Sequence, residues 1–134
     1  MSTRCNIHFS YKGDEQPWSN IYRHYDGHPE TVYADLAKFF EAVESEAPDD
    51  TRFDDPSYLA AKFVVWQARQ YAKAPLGIGS DSPALRFTGV APVIEDAEDG
   101  AYVFDVQCFD RRRPSIRWRR ACETEWRTGL ETSA

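Results

Sequence analysis

The chain contains no stretch of about eighteen consecutive apolar residues, so nothing in it reads as a transmembrane helix. Its first residues, Met1-Ser2-Thr3-Arg4, lead into an alternating pattern and not into a secretory apolar segment. Cysteine is scarce. Cys5, Cys108 and Cys122 lie far apart with no C-x-x-C pair, which argues against a disulfide framework and a structural zinc site and fits a reducing, cytoplasmic setting. Also missing are a G-x-S-x-G elbow, a phosphate loop and an H-E-x-x-H helix, the local patterns that announce a nucleophile, a nucleotide cradle or a zinc hydrolase. Gly77-Ile78-Gly79 lacks the preceding strand and following helix that a phosphate cradle needs, and reads as a loop. There is no internal repeat and no low-complexity linker.

What is present suffices for one packed core. The 134 residues are 42% apolar and 14% aromatic, matching a single domain over residues 1–127 with a frayed tail from 128 to 134. The net charge of -6 hides an asymmetry: residues 1–110 carry 9 basic against 19 acidic side chains, and the last 24 carry 7 against 3. The acidic concentration runs from Glu41 to Asp55, and the basic one is Arg111, Arg112, Arg113, Arg117, Arg119 and Arg120. An acidic balance disfavours nucleic-acid backbone and favours basic proteins as partners.

Cys5, Ile7, Phe9 and Tyr11 alternate with Asn6, His8 and Ser10, the two-residue period of a half-buried strand. A polar turn, Lys12 to Pro17, returns the chain as a second strand over 19–25, closing a hairpin. Asp26-Gly27 stops it. Pro29, whose fixed φ suits a first helical turn, opens a helix with Val32, Leu36, Phe39, Phe40 and Val43 on one face, ending at Ala47-Pro48. Asp55 caps a second helix starting at Pro56. Its apolar residues cover nearly the whole circumference, so it should be clamped between the sheet, the first helix and a third contact such as a partner chain. After a breaker-rich connection over 74–83, three strands follow near 85–90, 102–108 and 115–120. The order ββααβββ predicts an α+β, two-layer sandwich: a mainly antiparallel five-stranded sheet with two helices on one face.

The run Tyr22-Arg23-His24-Tyr25-Asp26-Gly27-His28-Pro29-Glu30, with the later Asp55-Pro56-Ser57-Tyr58-Leu59-Ala60, resembles small proteins encoded by phages, prophages or plasmids. Their signature is Tyr-Arg-His-aromatic-Asp-Gly-aromatic-Pro, and here His28 takes the second aromatic position. The resemblance spans about the first half of the chain and implies no enzymatic activity. It implies a mobile-element setting, in which compact acidic proteins block a host machine, as an inhibitor of anti-CRISPR type does.

Three readings of the site residues follow. The first is a non-enzymatic interaction protein that binds and inhibits a host nucleic-acid-handling complex. Glu44, Glu46, Asp49, Asp50 and Asp54 would contact a basic nucleic-acid-binding partner, and Arg111, Arg112, Arg113 and Arg119 would form a second surface. It needs no cofactor or membrane and is compatible with a homodimer. The second is a small metal- or His-dependent enzyme centred on His24, Asp26 and His28, with His8 across the hairpin; these atoms suit zinc or another divalent ion. The bland alternative for that corner is structural, with Arg23 or His24 bonding loop carbonyls. The third is direct nucleic-acid binding by the Arg111–Arg120 hairpin, with Trp118 stacking a base. Burying the indole and pairing the arginines with the acidic surface is the competing explanation.

Overall fold

The computed structural model describes residues 3–23, 26–73, 88–90 and 102–130. The elements are β1 (Cys5–Tyr11), β2 (Ser19–Arg23), α1 (Pro29–Glu46), α2 (Pro56–Lys73), β3 (Thr88–Val90), β4 (Tyr102–Cys108), β5 (Ser115–Arg120) and β6 (Arg127–Thr128). The expected α+β class and the ββααβββ order are both present. β6 is an addition, a two-residue strand on the edge of β5, and it takes in Thr128, expected to begin a frayed tail. His24, Tyr25, the 74–83 connection and the 131–134 end lie outside the described residues.

The sheet is mixed, with strand order β3-β2-β1-β4-β5-β6. β1 pairs antiparallel with β2 and parallel with β4, while the remaining pairings are antiparallel. The expectation of a mainly antiparallel layer therefore needs one correction at its centre. Hairpins account for β1–β2 and β4–β5, but β3 adds to the outer edge of β2 and β4 enters beside β1. Strand period and turn chemistry say nothing about which free edge a later strand takes.

One face of the sheet carries the core. Cys5, Ile7 and Phe9 of β1, Ile21 of β2, Phe104 and Val106 of β4 and Trp118 of β5 pack with Val32, Leu36, Phe39, Phe40 and Val43 of α1 and Leu59, Ala60, Phe63 and Trp66 of α2. Phe39 meets Phe63 edge to face with ring centroids 5.1 Å apart, and Phe63 stacks on Trp66. Such ring geometry adds about 0.5–1.5 kcal/mol per pair to area burial. All five apolar positions read on α1 are buried. On α2 the all-round apolar pattern leaves Tyr58 and Val65 each 54% exposed, so the anticipated third contact is not supplied by the described residues.

Candidate functional site

The corner where β2 hands over to α1 is held by Arg23. This residue is buried, and its Nε and Nη2 donate to Gln67 Oε1 of α2 at 2.9 and 2.7 Å. Nη1 donates to Asp35 Oδ2 of α1 at 2.9 Å and to the Asp26 carbonyl at 3.3 Å. One sheet cation thus ties both helices and the turn. Asp26 adopts φ +59, and a Cβ on Gly27 would lie 2.7 Å from the Thr3 carbonyl oxygen, so only glycine fits against the strand entrance. His28 precedes Pro29 with extended backbone and no side-chain cap; its Nε2 lies 2.9 Å from Thr3 Oγ1. Of the proposed metal trio, Asp26 and His28 are exposed and His24 lies outside the described residues. Among the described residues no group of three His, Cys, Asp or Glu side chains converges as a metal ion requires.

The charged segments meet at the far end of α1. Glu44 accepts from Arg113 Nε at 2.9 Å and from its Nη2, so the acidic and basic concentrations are joined here. That bond holds the Glu44 carboxyl below the usual carboxylate range and raises Arg113. Glu46 receives both bonds of Arg69 Nη1 from α2, Asp50 pairs with Arg52, and Arg112 approaches Asp110 at 3.6 Å. Asp49, Asp54 and Arg111 make no ion pair among the described residues, and all three are exposed. Arg119 does not join them: it lies on the other side of the sheet, its Nη1 bonded to the carbonyls of Arg120, Ala121 and Glu123.

Two grooves open at this end. One, of about 450 Å³, runs between the helices and is walled by Phe39, Ala42, Tyr58, Ala61, Val65 and Trp66 under the Glu46–Arg69 pair. The other, of about 710 Å³, lies along the loop between the helices and is lined by Glu44, Asp49, Asp50, Asp54, Arg52 and Arg111. Asp50 lines both. The loop is fixed by local chemistry: Arg52, at φ +59, sits 4.2 Å over the Tyr58 ring, and Asp55 Oδ1 accepts the N–H groups of Ser57 and Tyr58 as the cap expected from its place before Pro56.

A second place was not legible from spacing. The half-buried strand expected for β1 is buried on both faces, because Asn6, His8 and Ser10 are enclosed as well. They belong to a polar layer on the face opposite the helices. Asn20, His8, Asp105, Arg117 and Thr128 stand in register across five strands. Asp105, 3% exposed, accepts Ser10 Oγ at 2.6 Å and Arg117 Nε at 2.9 Å. Asn6 Nδ2 donates to Asn20 Oδ1 at 2.8 Å. Arg117 and Arg119 lie 4.2 and 4.8 Å from the Trp126 ring. A cavity of about 280 Å³ opens here between the 12–18 turn and β5. Its one sequence signal is Asp105, a carboxylate inside an apolar strand with Arg117 opposite it across the hairpin.

Trp118 is buried in the core and donates Nε1 to the Gly129 carbonyl, which removes the indole proposed to stack a base. Burial pushes the Cys5 and Cys108 thiols up to about 12, against activation as nucleophiles. Among the described residues no helix is long and apolar enough to cross a membrane. Compared with known proteins, the chain matches no family model, no curated protein and no solved structure.

Proposed function

We propose that this is a non-enzymatic interaction protein that docks on a basic, nucleic-acid-handling protein of its host and inhibits it. The observation that carries the reading is the junction at Asp50, where an apolar groove and a carboxylate-lined groove share a wall. Exposed apolar side chains rimmed by charge are the usual anatomy of a protein-binding patch. Tyr58 and Val65 supply the apolar centre, and Asp49, Asp50 and Asp54 supply the rim. Exposed carboxylates at the rim contribute mainly association rate and partner selection. The phage- and plasmid-type signature around Asp26-Gly27 adds the mobile-element setting.

Glu44, Glu46 and Asp50 take a smaller share than Asp49 and Asp54, since each already carries an intramolecular arginine. Arg111 and Arg112 border the same end and extend the rim with opposite charge. Affinity capture from a host lysate tests the reading. Wild type should retain a basic nucleic-acid-binding protein that Asp49→Lys/Asp54→Lys and Val65→Glu both lose while staying folded. Equal retention by all three would refute it.

A further inference from the structure

We propose that the cavity on the helix-free face of the sheet is a binding site for a small zwitterion of amino-acid size, separate from the docking surface. A buried charged layer is poor value for stability alone, because an ion pair of this kind gains little over apolar residues of the same volume. Here Asp105 and Ser10 sit at the floor of a cavity that is open to solvent. Asp105 holds Arg117 Nε, and Trp126 covers the guanidinium face, so the side chain is fixed in one orientation. The Arg117 Nη groups make no hydrogen bond among the described residues, and a planar two-donor edge of this sort matches a carboxylate.

The lining is split by sign. Arg117 and Arg119 enter from β5, and Asp14 and Glu15 enter from the 12–18 turn. Asp14 Oδ2 already accepts Trp18 Nε1, while Glu15 is exposed and makes no ion pair among the described residues. A bare anion would face the carboxylates of Asp14, Glu15 and Asp105, and a bare cation the guanidinium groups of Arg117 and Arg119. A ligand carrying both charges satisfies each wall, and the mismatch against either single charge supplies selectivity. At about 280 Å³ the space is just below the range of drug-sized sites, which fits a free amino acid and not a nucleotide.

The test is thermal melting and titration calorimetry of the full chain with glycine, alanine, serine and aspartate, against acetate, phosphate and methylammonium, each at about 10 mM. At least one amino acid should raise the melting temperature, and the single-charge probes should not. Glu15→Gln, at an exposed position, should weaken that binding by about tenfold or more and leave the unliganded melting temperature unchanged. Arg117→Gln alone strands Asp105, so the Arg117→Gln/Asp105→Asn pair is the second variant; it should fold and not bind. No response to any amino acid, an equal response to acetate or phosphate, or unchanged affinity in Glu15→Gln would overturn the proposal.

Discussion

Arg23 of β2 and Asp35 of α1 lie 2.9 Å apart, with the arginine 3% exposed and the aspartate 28% exposed. The pair is the inner brace of the β2–α1 corner, and Gln67 extends it to α2. Buried guanidinium is costly to strand. Asp35→Asn or Asp35→Ala should therefore destabilise the fold by about 3 kcal/mol, near the lower end for breaking a buried pair because Asp35 keeps some water. Urea unfolding of the two variants checks this; a loss within experimental scatter would mean that Gln67 and the Asp26 carbonyl alone satisfy Arg23.

Gly27 is the other fixed point of that corner. Its amide donates to the Thr3 carbonyl at 2.9 Å, and a methyl group placed on it collides with backbone, which cannot swing away as a side chain can. Gly27→Ala should cost about 1–3 kcal/mol through overpacking. The companion Gly13→Ala meets no atom within 4 Å but sits at φ +97, so any loss there reports backbone strain alone. Parallel melting curves of the two variants separate the causes.

Much of this corner was legible. Pro29 after an Asp-Gly stop announces a helix start, and Asp55 before Pro56 announces another, because each residue has a narrow backbone preference that no tertiary contact needs to supply. The apolar face of α1 was legible for the same reason: a 3.6-residue period survives any packing partner. The parallel β1–β4 pairing and the buried layer under His8 and Asp105 were not. Both depend on which strands become neighbours, and polar alternation looks the same whether water or another strand's arginine satisfies it. The histidines drew attention by chemistry alone, yet His28 bonds Thr3 as part of the joinery.

The Glu44–Arg113 pair links the acidic and basic segments at the surface. Both side chains are more than a third exposed, so after solvent screening the pair contributes only about 0–1 kcal/mol. Its sign with pH is set by the lowered Glu44 carboxyl: the contribution is present above the ordinary value of 4.5 and disappears as pH falls through the lowered folded value. Glu44→Gln should leave the melting temperature at pH 7 within a few degrees of wild type and flatten the acid limb of the stability curve. A large loss at neutral pH would show that the pair carries structural weight.

The thiols give an alkaline prediction. Cys5 and Cys108 ionise near 12 when folded but from 9.0 in the unfolded chain, so stability is intact below 9 and falls as pH rises toward 12. The slope should be up to about 1.4 kcal/mol per pH unit for each thiol, and Cys5→Ala/Cys108→Ala should remove it. In the native protein a thiol reagent at pH 8 should modify Cys122, which is exposed, and leave the two buried cysteines untouched. Rapid modification of all three would contradict the enclosed β1–β4 seam.

The docking claim is tested most directly by hydrogen exchange of the chain alone and with its captured partner. Protection should appear over residues 46–66, covering the end of α1, the Asp49–Asp54 loop and the Tyr58 and Val65 face of α2, with the 12–18 turn and β5 unchanged. Protection confined to that turn and β5, with residues 46–66 exchanging as freely as before, would contradict the assignment of the interaction surface.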